Sequence, residues 1–264
     1  MPKFCANLSM MFNEVPFLDR FEAAAKAGFD AVEFLFPYDH PAPVLRERLD
    51  ANGLQQVLFN GPPGNWDGGE RGTAALPGRQ SEFRDGMKRA LDYAGTLNCR
   101  LLHCMAGIPA PGVPFTTAAS VYADNLAWAA EQASASGVKI VIEPINHRDM
   151  PGFHLHTLAQ GAAVVEAIGP DRIGLQFDVY HCQVTEGDIT RRLEQHMKLV
   201  AHIQVADVPG RNEPGTGEIA WGYVFAAVDR LGFTGHIGLE YRPARETVAG
   251  LSWIHPFLMD KNVG

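Results

Sequence analysis

The sequence is short of cysteine, of positive charge and of long apolar runs, and each shortage removes a class of protein. Its four cysteines, Cys5, Cys99, Cys104 and Cys182, are widely spaced and include no CxxC pair. That spacing opposes a disulfide scaffold and favours buried reduced thiols. Lys and Arg number 22 against 30 Asp and Glu, a net charge of −8. Such a chain lacks the clustered cations that displace counterions from a phosphate backbone, so no nucleic-acid partner is expected. No apolar run reaches the roughly 18 residues of a membrane span. The opening MPKFCANLSMMF has one Lys and no small-residue cleavage pattern. It reads as a first strand rather than a secretion signal, and a cytoplasmic protein is expected. No low-complexity tract or linker-like stretch divides the chain.

What remains is an ordinary globular composition, 46% hydrophobic and 20% charged over 264 residues. A closed α/β barrel fills about 250 residues as one domain, so residues 1–264 are read as one. Short β-branched or apolar runs alternate with amphipathic stretches. The strands are expected at Lys3–Ser9, Ala31–Phe36, Gln55–Asn60, Arg100–Met105, Lys139–Glu143, Ile173–Asp178, His202–Asp207 and His236–Tyr241. Helical patterns fall between them: Phe17–Ala27, Val44–Asn52, Ser81–Leu97, Ala118–Ser136, Leu158–Ile168, Ile189–Leu199, Tyr223–Leu231 and Glu246–Trp253. Several stop at a glycine, among them Gly28, Gly53, Gly137 and Gly169. Strict strand–helix alternation implies a parallel sheet, and eight repeats fit a (β/α)8 TIM barrel. The rival is an open doubly wound sheet. It lacks its GxGxxG after the first strand, where the turn reads SMMFNEVP.

The last four strands end on polar residues: Glu143, Asp178, Gln204 or Asp207, and Glu240. In a parallel barrel all strand ends share one rim, so these side chains converge. Three carboxylates so placed repel one another unless a cation neutralises them. Oxygen donors of this kind suit one hard divalent ion, Mg²⁺ or Mn²⁺. Taken singly, each carboxylate could instead cap the following helix, Asp178 in particular. Gln204 and Asp207 are three apart and so face opposite sides of a strand, and the pattern leaves either as the fourth ligand.

Longer motifs carry a resemblance. Glu143-Pro-Ile-Asn-His147, Pro151-Gly-Phe153, Asp178-Val-Tyr-His181 and Gly215-Thr-Gly-Glu218-Ile resemble the hydroxypyruvate isomerase family, among the xylose-isomerase-like barrels. So do Ala6-Asn-Leu-Ser-Met10, Val32-Glu-Phe-Leu-Phe-Pro-Tyr38, Gly69-Glu-Arg-Gly72 and Gly238-Leu-Glu240-Tyr. The resemblance implies a metal-assisted aldose–ketose isomerase that interconverts hydroxypyruvate and tartronate semialdehyde. It implies that Glu143 and Glu240 are both metal ligands and acid/base groups, and that Asp178 and Gln204 complete the metal shell. His181 matches a histidine near a substrate oxygen in that family. The substrate is then a small 2-oxo or 2-hydroxy acid, whose carboxylate needs a cation. His181 is the first candidate for it and Arg211 the second, ahead of Arg148 and His147. The segment after Glu143 favours hydroxypyruvate isomerase over the related 2-oxo-tetronate isomerase.

Other readings predict other residues. A three-zinc endonuclease of the same superfamily asks for rim histidines, and only His103 matches. A ketose 3-epimerase places a histidine where this chain has Gln204. A catalytically dead binding barrel has no need to tolerate three facing carboxylates. The long glycine-rich loop Asn60–Leu76, with Trp66, Glu70 and Arg71, is read as a lid. Leu251–Phe257 is read as either a last helix against the barrel or an apolar contact in a homo-oligomer.

Overall fold

The short apolar runs favour extended chain, helped by β-branched residues such as Val32, Ile140, Val141 and Ile142, whereas longer Ala- and Leu-rich stretches coil. The computed structural model, which describes residues 2–257, follows that division. Among the described residues the strands are β1 Lys3–Asn7, β2 Ala31–Glu33, β3 Gln55–Gln56, β4 Leu58–Asn60, β5 Leu101–His103, β6 Lys139–Ile142, β7 Ile173–Asp178, β8 Val200–Gln204 and β9 His236–Leu239. The helices are α1 Arg20–Lys26, α2 Ala42–Ala51, α3 Gln80–Leu97, α4 Phe115–Ala135, α5 Leu158–Ile168, α6 Val179–Thr185, α7 Ile189–His196 and α8 Trp221–Arg230.

The sheet order is β3-β2-β1-β9-β8-β7-β6-β5-β4, with parallel pairing throughout. β3 and β4 are two halves of one expected strand. The first half pairs with β2 and the second with β5, which closes the wall into the expected barrel. Val57, between the halves, donates its N–H to Val32 O at 2.9 Å.

The main core lies between wall and helices and contains Phe4, Val32, Leu102, Ile142, Phe177 and Leu239. A smaller cluster of Cys5, Ala31, Val57, Leu58 and Val141 forms apart from it. All four cysteines are free and buried, as their spacing suggested. The C-terminal stretch forms a 3-10 helix, Ala249–Phe257, instead of the expected α-helix. It packs on the barrel: Trp253 meets Phe4 edge-on at 5.6 Å, and Phe257 meets Phe225 at 4.8 Å. No helix of the described residues is long and apolar enough to cross a membrane.

α6 has no counterpart among the expected helices, because its seven residues are too few to display a period. Its start is fixed by Asp178, whose Oδ1 accepts from Tyr180 N at 2.7 Å and His181 N at 3.3 Å.

Candidate metal centre

Glu143 follows β6 directly, Glu240 follows β9, and Asp178 and Gln204 are the last residues of β7 and β8. In register, Asp178 lies beside Gln204, and Gln204 beside Gly238. One ligand atom each from Glu143, Asp178, His181 and Glu240 lie within 4.8 Å of one another, and all four residues are buried. Three expected ligands and the expected substrate histidine therefore share one volume.

The polar atoms in this volume are incompletely satisfied. Glu143 Oε1 and Asp178 Oδ2 are buried with no hydrogen-bond partner. Asp178 caps α6 with one oxygen and leaves the other in the cluster. Burial pushes all three carboxyls above their ordinary range, Glu240 to about 8. For Glu143 the charges of Glu240 and Asp178 add to the effect of burial. Orphaned carboxylate oxygens that oppose each other's ionisation fit a divalent cation, and the cluster could hold one.

Arg211 is the cation now facing them. Its Nη2 donates to Glu240 Oε2 at 2.5 Å and lies 3.7 Å from Asp178 Oδ2, while Nη1 is 3.8 Å from Asp149. The guanidinium stands 5.0 Å over the Tyr180 ring, and its Nε is buried without a partner.

The geometry separates Gln204 from Asp207. Gln204 is fully buried, with Oε1 accepting from Gln176 Nε2 at 2.5 Å and Nε2 donating to Glu33 Oε1 at 2.8 Å. Its oxygen would exchange the Gln176 amide for an ion. Asp207 lies beyond the strand and holds the following loop together. It accepts from Val208 N, Gly215 N, Ile219 N and Trp221 Nε1 at 2.8–3.2 Å.

His181 has a definite tautomer. The Asp149 N–H donates to Asn146 Oδ1 at 2.8 Å, so the Asn146 amide must turn its NH2 toward His181 Nδ1, 2.5 Å away. Nδ1 therefore accepts, and the proton sits on Nε2, 3.7 Å from Glu143 Oε1 and 3.6 Å from Asp178 Oδ2. Burial, then the charge of Arg211, hold the ring well below its usual pKa and keep it neutral. A neutral Nε2–H is a donor to an oxygen, not a metal ligand.

His103 belongs to the site although the sequence reading gave it no role there. Its Nδ1 lies 3.2 Å from Asn60 Oδ1 and 3.7 Å from Glu143 Oε2, and burial pushes its pKa down to about 3. It ends β5, so the rim rule that found Glu143 also points to it. Asn146 carried no such signal, since its role depends on a loop conformation. His147 turns away from the cluster, toward Phe153 O at 2.9 Å and the His156 ring at 4.3 Å. In the loop read as a lid, Trp66 packs on Phe36 at 4.9 Å and Arg71 stacks on Trp66 at 4.0 Å.

Known proteins share this architecture. The family model described as xylose isomerase-like TIM barrel matches residues 21–257. The 2-oxo-tetronate isomerase of Cupriavidus necator is 52% identical over 98% of this chain and 99% of its own length. The hydroxypyruvate isomerase of Escherichia coli K12 is 42% identical over 97% and 100%. A crystal structure from Brucella melitensis described as an AP endonuclease, family 2, superposes with a TM-score of 0.95 at 44% identity, covering 97% of this chain and 99% of that one.

Proposed function

This chain belongs to the xylose isomerase-like TIM barrel family, and from that membership we propose that it interconverts hydroxypyruvate and tartronate semialdehyde as a metal-dependent aldose–ketose isomerase. The observation that carries the reading is the buried meeting of Glu143, Glu240 and Asp178 within 4.8 Å at one mouth of the barrel.

Moving a carbonyl along by one carbon requires a proton to leave the hydroxyl-bearing carbon, a proton to reach the former carbonyl carbon, and the hydroxyl proton to pass to the former carbonyl oxygen. Glu143 and Glu240 are the two groups placed for that exchange. One takes the proton as general base and the other delivers one as general acid. Burial raises their basicity toward neutral pH, where a base must work. The His181 Nε2–H donates to a substrate oxygen on which negative charge develops. Arg211 has a buried, unpartnered Nε to offer the substrate carboxylate. A divalent ion held by Glu143, Asp178, Gln204 and Glu240, Mg²⁺ or Mn²⁺ by donor hardness, would supply Lewis-acid stabilisation of charge on two adjacent substrate oxygens.

A second reading keeps the mechanism and lengthens the acid to 2-oxo-tetronate, favoured by the 52% identity to the Cupriavidus enzyme. DNA cleavage, the activity in the Brucella protein's description, asks for a basic face that a net charge of −8 opposes. We therefore include a small-molecule acid and no nucleic acid among its partners.

The test strips the protein with chelator, restores Mg²⁺ or Mn²⁺, and follows hydroxypyruvate in deuterated water by proton NMR. Metal-dependent tartronate semialdehyde carrying solvent deuterium is expected. Glu143→Gln and Glu240→Gln should each lower the rate by roughly 10²–10⁴-fold, the usual contribution of a positioned acid or base. If hydroxypyruvate stays inert while 2-oxo-tetronate turns over, the substrate is the four-carbon acid. Turnover of both substrates by the glutamate variants at the wild-type rate would refute the paired-glutamate mechanism.

A further inference from the structure

Beneath the carboxylate cluster, Glu33 at the end of β2 is fully buried. Donors alone approach it. Oε1 receives Asn7 Nδ2 at 2.9 Å and Gln204 Nε2 at 2.8 Å. Oε2 receives His202 Nε2 at 2.7 Å and the Cys5 thiol at 3.6 Å. His202 and Gln204 belong to β8, three strands away around the wall, so these contacts cross the barrel axis. The backbone has been cleared for this carboxylate, because a Cβ on Gly238 of β9 would fall on it. Each Glu33 oxygen is thus approached by two donors. It works as a hub.

The hub has a consequence for direction. A carboxylate with no proton to give can accept only from the NH2 end of the Gln204 amide. That fixes the oxygen at the opposite end, where it accepts from the neutral Gln176 amide. Glu33 also holds the NH2 of Asn7, which reaches on to Glu240 Oε1 at 3.5 Å. One buried charge thus holds the NH2 ends of two amides, one beside Asp178 in register and one against Glu240.

We propose that Glu33 is the positioning residue of the metal centre: it locks the Gln204 amide so that oxygen rather than nitrogen is presented as a ligand. This rests on the reading that Gln204 ligates the ion. Orienting partners of this kind typically govern metal affinity by about 10–100-fold.

The experiment measures Mn²⁺ binding to chelator-stripped full-length protein by calorimetry and by the EPR signal of bound Mn²⁺, with thermal unfolding of each variant as a folding control. Glu33→Gln removes the demand for a donor and lets the Gln204 amide invert, so Mn²⁺ affinity should fall about tenfold or more. The double variant E33Q/Q204E restores the pair with its ends exchanged. The amide introduced at position 33 then donates its NH2 to the carboxylate introduced at position 204. That carboxylate has oxygens at both ends, and affinity should return to within about threefold of wild type. The double variant is also the arm that decides if Glu33→Gln alone does not fold, since it keeps one amide against one carboxylate. Wild-type affinity in Glu33→Gln, or a double variant that folds and stays about tenfold weak, overturns the proposal. Gln204→Met separates the two layers. If Gln204→Met binds Mn²⁺ weakly while Glu33→Gln binds normally, the positioning role alone fails. If Gln204→Met binds normally, the ligand reading fails, and the positioning role with it.

Discussion

His181 carries its proton on Nε2 because Asn146 occupies the other ring nitrogen, and Asn146 is itself aimed by the Asp149 N–H. The chain of causes runs from a loop backbone to the tautomer of a buried imidazole. Asn146→Asp replaces the donor beside Nδ1 with an acceptor. The ring should then turn its proton toward the new carboxylate and present a lone pair to the substrate. We expect kcat/KM to fall by roughly 10–100-fold, the value of a lost hydrogen bond to a charged group. Mn²⁺ affinity should stay within about threefold of wild type, since no ligand is removed. A steady-state assay and a calorimetric titration check the two halves, and a loss of metal binding alone would contradict the tautomer account.

The segment between β8 and α8 shows how a loop without regular structure can hold an arginine against the carboxylate cluster. Asp207 accepts from three backbone amides and the Trp221 indole, and its carbonyl takes the Arg211 N–H at 2.8 Å. Arg211 sits at φ +54, a left-handed conformation that a non-glycine residue keeps only when its surroundings enforce it. Asp207→Ala leaves those donors buried and unpaired. It should cost on the order of 3 kcal/mol of stability and raise KM more than it lowers kcat, because the guanidinium loses its place at the mouth. Chemical denaturation and steady-state kinetics test both effects, and an unchanged KM would show that Arg211 is held by other contacts.

The barrel gathers three carboxylates whose folded pKa values all stand above their ordinary range. A carboxyl of this sign contributes stability below its unfolded pKa and loses it as pH rises toward its folded value. Metal-free protein should therefore lose stability as pH rises from about 4, with Glu240 giving up its share near its folded value of about 8. A bound cation removes that repulsion. The difference in Tm between Mn²⁺-loaded and chelated protein should then widen from about pH 5 to about pH 8 in scanning fluorimetry. A constant difference would mean that the carboxylates are already ionised without metal. Glu33 is the counter-case: burial favours its neutral form, but His202, Gln204 and Asn7 outweigh burial and hold its pKa low.

Much of this was legible in the chain itself. Strand–helix alternation determined the barrel, and apolar strands that stop on Glu143, Asp178 and Glu240 identified three carboxylates of the site, because strand ends in a parallel barrel share a rim. A period of two along β5 would equally have pointed to His103. The strand pattern did not choose between Gln204 and Asp207, and only the family resemblance favoured Gln204. That choice depends on where a side chain finds its partners, and Asp207 finds them in a loop closed by residues up to fourteen positions away. Nor could it single out Glu33, whose partners lie on β1 and β8, 26 to 171 positions distant along the chain. Local pattern fixes which face of a strand is buried. Only closure of the wall decides which buried polar groups meet across the axis, and so which way an amide must point.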